Sequence, residues 1–190
     1  VRKKSMKIIT IATAALTAIA TPAATAANNC DTKIQATAIS PDQAGMESDF
    51  DSLIATVDQY VITEDGKSQF DAESAEADGA SGFLLEVGHY FNELSNQQEG
   101  GRETSFRSIG YGNWCGPGHS GPDAPINTLD SICMRHDKCY AEKGYFACSC
   151  DRALIDDIKR NRGNFHGAGE NAMTVAVASY FNSNLCNPFK

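Results

Sequence analysis

Between positions 50 and 62 the apolar residues change period. Phe50, Leu53, Ile54 and Val57 recur at three- and four-residue intervals, as on one buried helical face, whereas Tyr60 to Ile62 reads as a short strand. Glu64-Asp65-Gly66-Lys67 is a hairpin turn signal. A second helical pattern, Phe83, Leu84, Val87, Tyr90, Phe91 and Leu94, runs toward the Gly100-Gly101 break. These elements predict a small helix, hairpin, helix module. Further on, a turn-rich segment from Gly116 to Pro125 gives way at Asn127 or Thr128, either able to cap a helix, to Leu129, Ile132, Cys133, His136 and Tyr140 on one face. Gly144 ends that helix. A second helix is expected from Asp151 to about Arg162, with Leu154, Ile155 and Ile158 free to face the first, and after a glycine-rich break a third, largely apolar one from Met173 to Phe181.

The N-terminus changes the reading of everything after it. Arg2, Lys3, Lys4 and Lys7 precede an apolar run from Ile8 to Ala20 and small residues ending Ala24-Thr25-Ala26, the layout of a secretory signal peptide too short to remain as a transmembrane anchor. Cleavage is expected after Ala26 or Ala27, giving a secreted, extracellular product. In an oxidising compartment Cys30, Cys115, Cys133, Cys139, Cys148, Cys150 and Cys186 read as disulfide partners, and an odd count of seven leaves one over.

Charge is distributed unevenly. Residues 28–100 hold fifteen acids against Lys33 and Lys67, whereas residues 101–190 hold ten basic groups against nine acids. The near-neutral C-terminal part lacks the concentrated basic surface that nucleic acid would need. Residues 1–27 are thus read as a signal peptide, 28–100 as an acidic module or pro-segment, and 101–190 as a catalytic domain. A removable pro-segment suits the acidity, which could cover a cation-binding site; a permanent accessory domain and a solubilising spacer are the alternatives.

The chemistry concentrates between Tyr111 and Tyr140. A loop with glycines at 112, 116 and 118 can turn its carbonyls inward, and hard cations such as calcium take carboxylate and carbonyl oxygens. His136 lies inward on its helix beside Cys133, and Asp137, about 100° further round, points toward the edge of that face. A lone histidine on an apolar face is more often structural than catalytic, but this one follows a glycine loop and adjoins an acid. Zinc held by Cys115, Cys133, His136 and Cys139 is disfavoured by the spacing and by an oxidising compartment. His89 and His166 read as structural or solvated, and His119, in a turn, as exposed, with contact to a lipid headgroup as the alternative. Trp114 and Phe106 suit either a core or a membrane contact.

Three fragments in order, Tyr-Gly-x-x-Cys-Gly-x-Gly at 111–118, Asp-x-x-Cys-x-x-His-Asp-x-Cys-Tyr at 130–140 and Cys-x-Cys-Asp at 148–151, resemble the secreted calcium-dependent phospholipase A2 family, in its plant-type or prokaryotic branch. The resemblance covers roughly residues 105–162. It implies a mainly α fold, a disulfide-linked antiparallel helix pair with a calcium loop, and a calcium-dependent esterase that cleaves the sn-2 ester of glycerophospholipids to a lysophospholipid and a fatty acid. It further implies calcium held by the carbonyls of Trp114, Gly116 and Gly118 with the Asp137 carboxylate. His136 would act as general base, Asp151 would orient it, Tyr140 and Tyr145 would hydrogen-bond Asp151, and the Gly116 N–H would stabilise the oxyanion.

Bridges Cys115–Cys133 and Cys139–Cys150 follow from the same resemblance, and Cys148 with Cys186 is a weaker expectation. Ile132 and Asp157 stand where many relatives carry another bridge, and the short interval from Tyr140 to Cys148 leaves no room for the β-hairpin found in many of them. The expected partner is a phospholipid membrane or micelle surface met peripherally by a monomer, with neither nucleic acid nor a membrane span. A catalytically silent, phospholipase-like binding or toxin-type module is the alternative from another functional class.

Overall fold

The computed structural model describes residues 33–34, 36–97, 111–116 and 119–184. The expected leader, the linker with Phe106, Gly118, Cys30 and Cys186 lie outside the described residues.

The described chain is mainly helical, with one two-stranded antiparallel hairpin. Helix α1 (Phe50–Gln59) starts where Asp49 accepts the Ser52 N–H at 3.0 Å, and it buries Phe50, Leu53, Ile54 and Val57 as the spacing predicts. Strand β1 (Val61–Glu64) pairs with β2 (Lys67–Phe70), Val61 opposite Phe70 and Glu64 opposite Lys67. Asp65 and Gly66 join them with φ of 51° and 79°, the left-handed pair that a tight hairpin needs. Helix α2 (Ala72–Ala77), capped by Asp71, was not foreseen: only Ala75 is buried, so no apolar period marks it. Helix α3 (Gly82–Gln97) is the second predicted helix.

Helix α4 (Thr128–Lys143) begins with Asn127 Oδ1 accepting the Asp130 N–H at 3.0 Å and stops at Gly144, whose φ is 94°. Helix α5 (Cys148–Arg160) starts three residues earlier than expected, which places Asp151 inside its first turn. Only residues 144–147 separate α4 from α5. The two helices pack together, and Cys139–Cys150 staples them while Cys115–Cys133 ties the preceding loop to α4. Cys148 is disulfide-bonded as well. The positions of the missing bridge are filled otherwise: Ile132 is in the core, and Asp157 pairs with Arg135 at 2.9 Å and with Arg160.

Helix α6 (Gly167–Ser183) begins six residues before the apolar pattern that predicted it. Glu170 is the reason: its carboxylate accepts the His166 N–H at 2.7 Å and the Leu129 N–H at 3.3 Å, satisfying donors at the starts of α6 and α4 together. The helix has no polar face, for every residue from Glu170 to Tyr180 is buried. It packs against α1, α3 and α5, so residues of the N-terminal module and of the stapled pair share one core. No helix among the described residues is long and apolar enough to cross a membrane.

Candidate active site

The glycine loop is shaped by one buried acid. Asp130, fully buried on α4, accepts N–H groups from Asn113 at 3.0 Å, Trp114 at 2.8 Å and Ile126 at 2.9 Å. Three backbone donors of two loop segments are thereby satisfied in a place closed to water. Gly112 is required twice over, because its φ is 65° and an added Cβ would lie 2.4 Å from the Asp130 carboxyl carbon. Sequence reasoning treated Asp130 only as a letter of a motif. The signal available was Asn127 followed three residues later by an acid, a capping-box pattern; the carboxylate reaches beyond the cap into the loop.

Trp114 organises the outer part of the same loop. Its Nε1–H donates to the Asp123 carbonyl at 2.7 Å, and its ring fills the space a Gly121 side chain would need. Gly121 N–H to the Asn113 carbonyl, 3.1 Å, and Asn113 Nδ2 to the Ala124 carbonyl, 2.7 Å, complete the seam between residues 111–116 and 119–126. Trp114 is therefore half-buried against its own loop, with the Lys138 ammonium 5.8 Å from the ring centroid.

His136 and Asp151 meet across the stapled pair. His136 Nε2 lies 3.0 Å from Asp151 Oδ1, and both side chains are buried. The Tyr140 hydroxyl donates to the same Asp151 oxygen. Burial pushes the Tyr140 phenol up, as does its hydrogen bond to Asp151, so it stays protonated as a donor. The imidazole is enclosed by aromatic rings, Tyr140 at 4.2 Å and Phe181 edge-on at 4.8 Å between centroids. With the proton on Nε2 shared with Asp151, Nδ1 keeps a lone pair for another proton. Tyr145 stands 79% exposed with its ring 5.6 Å from that of Tyr140.

Asp137 carries the unsatisfied atom of this region. Its Oδ2 is buried and lacks a hydrogen-bond partner among the described residues. Burial pushes its carboxyl up, opposed by a hydrogen bond from the Ser120 hydroxyl and by the nearby His136. A buried carboxylate oxygen in want of a positive partner, beside a loop of backbone carbonyls, suits a hard cation. The Gly116 carbonyl accepts the His119 N–H at 3.0 Å, leaving one of its two lone pairs. Among the described residues no three His, Cys, Asp or Glu side chains form a metal-holding group, so a cation here would rely on carbonyl oxygens. A zinc cage through Cys115, Cys133 and Cys139 is ruled out, since all three are in disulfides.

Of the remaining histidines, His89 sits on α3 with Nε2 3.2 Å from Glu93 Oε1, and His166 precedes the first turn of α6.

Comparison with known proteins points the same way over part of the chain. No protein-family model matches it, and no solved structure matches it. A stretch of 54 residues is 50% identical to the acidic phospholipase A2 homolog taipoxin gamma chain of Oxyuranus scutellatus scutellatus, covering 28% of this chain and 34% of that protein. A stretch of 42 residues is 48% identical to acidic phospholipase A2 S17-58 of Austrelaps superbus, covering 22% of this chain and 26% of that one. The chain thus spans about a third or less of the length of these relatives. Both are snake proteins, and neither likeness singles out a plant-type or prokaryotic branch. A mainly helical, disulfide-stapled chain with a phospholipase A2-like segment is what sequence and structure establish together.

Proposed function

We propose that this protein is a secreted, calcium-dependent phospholipase A2 that releases the sn-2 fatty acid from glycerophospholipids and leaves a lysophospholipid. The observation that carries this reading is the His136–Asp151 contact of 3.0 Å beside the orphaned Oδ2 of Asp137. Asp151 accepts the Nε2 proton and fixes the ring, and Tyr140 holds Asp151 in turn. His136 Nδ1 takes a proton from water as it attacks the ester carbonyl, then returns it to the departing alkoxide. The Gly116 N–H donates to the oxygen on which negative charge develops. Asp137 with the carbonyls of Trp114, Gly116 and Gly118 would hold calcium, whose chemistry is to polarise that carbonyl as a Lewis acid.

Exposed Ile126 and Tyr145 favour peripheral contact with a lipid surface, since each offers apolar area next to these loops. The disulfides and the leader-like N-terminus support an extracellular setting. A second reading, a silent binding module, draws on the first relative's name, a homolog. Retention of His136, Asp137 and Asp151 favours the enzyme. The test is a vesicle of phospholipid with different acyl chains at sn-1 and sn-2, with products separated by mass. Release of the sn-2 acid alone supports the reading; no hydrolysis, or release of the sn-1 acid, overturns it.

A further inference from the structure

Two acidic residues of the N-terminal module, Asp51 and Asp58, are used at a seam with the C-terminal part of the chain. Asp58 accepts from Asn182 Nδ2 at 3.0 Å and from the Ser183 hydroxyl at 2.9 Å, while Asn182 Oδ1 accepts the Ile34 N–H at 2.8 Å. Asp51 pairs with Lys159 at 2.8 Å. Arg162 donates to the Met46 carbonyl at 2.9 Å and lays its guanidinium 5.2 Å from the Phe50 ring centroid. Ser68 donates to Asn184 at 3.0 Å. Every one of these contacts joins the N-terminal module to residues 159–184.

Beneath them lies α6, buried on all sides. A helix without a polar face has no stable arrangement with one side bare to water. Removing α1 and α3 would uncover it along much of its length. A removable pro-segment leaves behind a domain whose core closes without it, and this core does not close.

The seam also reaches the candidate site. Tyr180 and Phe181 are neighbours on α6: Tyr180 packs edge-on against Phe91 of α3, 5.6 Å between centroids, and Phe181 packs edge-on against His136. We propose that the N-terminal module is a permanent half of the catalytic unit: α1 and α3 hold α6, and α6 presses Phe181 against the His136 ring. The link to His136 rests on the phospholipase reading; the permanence of the module does not.

The test cuts the folded chain. A specific protease site is inserted in the linker at 101–110 of the full-length protein carrying Cys30→Ser, so that no disulfide can join the fragments. After cleavage in native buffer, both fragments are expected to elute together, with helical signal and hydrolytic rate within about twofold of the uncut protein. Departure of the N-terminal fragment, leaving a C-terminal fragment that still melts cooperatively and hydrolyses lipid as fast or faster, would overturn the proposal. If the uncut protein hydrolyses nothing, co-elution and melting still decide whether the module is permanent, and only the phospholipase reading fails.

Discussion

Asp151 receives two hydrogen bonds on a single oxygen, one from His136 Nε2 at 3.0 Å and one from the Tyr140 hydroxyl. The two donors lie four residues apart on α4, and Asp151 follows Cys150 on α5, which is bonded to Cys139 between them. The disulfide thus ties together the two helix segments that carry the imidazole and the acid. Replacing His136 with Gln removes the proposed base without a large change of volume. The variant is expected to lose about 10²- to 10⁴-fold in kcat while keeping its helical signal and calcium affinity. Wild-type activity in that variant would remove His136 from the mechanism.

Tyr140→Phe is the milder companion. Asp151 keeps its bond to His136, so kcat should fall less than about tenfold, while stability falls by about 1.5–3 kcal/mol for the lost bond to a charged group. Asp151→Ala should cost far more rate than Tyr140→Phe, because the ring then loses its orientation. Steady-state kinetics and chemical denaturation of the pair check the order; equal kinetic losses would contradict it.

Asp130 should matter more for the loop than for the chemical step. Asp130→Ala leaves the Asn113, Trp114 and Ile126 N–H groups without their acceptor in a buried place, at about 1–3 kcal/mol for each donor left unpaired. Denaturant melts should show a loss of several kcal/mol, and calcorimetric titration a weaker cation site. Asp130→Asn, which keeps one acceptor oxygen, should fall between wild type and Ala. A variant as stable as wild type would show that the loop holds itself without the acid.

The seam carries a pH dependence with a definite sign. Burial pushes the Asp58 carboxyl above its ordinary 3.8, against hydrogen bonds from Ser183 and Asn182 and the charge of Lys33. The folded state therefore binds this proton more tightly than the unfolded chain. Its contribution is fully present below the unfolded value and is lost as pH rises through the raised folded value. Asp49 shifts downward through its Ser52 cap and contributes in the opposite sense. The informative quantity is the difference between wild type and Asp58→Asn. The variant should lose less stability than wild type as pH rises through that window; parallel curves would contradict the assignment.

The sequence disclosed what depends on local pattern. Phe50, Leu53, Ile54 and Val57 announced α1, the Asp65-Gly66 turn announced the hairpin, and the family resemblance carried by the motifs in 111–151 implied that His136 and Asp151 would meet. It withheld what depends on long-range burial. The start of α6 was hidden because Glu170 reaches across to Leu129, a partner 41 positions away, and because a helix buried on all faces has no period to read. Asp130 and Phe181 were hidden for the same reason: their roles lie in what they touch. Asp49 and Asp51 entered the sequence reading only in the count of the module's acids, but one caps α1 and the other pairs with Lys159.

The most direct measurement is hydrolysis of vesicles carrying sn-2-labelled phospholipid, followed as calcium is removed with excess chelator and then restored. Release of label should fall to background with the chelator and return saturably with calcium, and Asp137→Asn should need far more calcium for the same rate. Hydrolysis that continues undiminished under excess chelator, or an Asp137→Asn variant with the wild-type calcium requirement, would contradict attack by water at a calcium-bound ester.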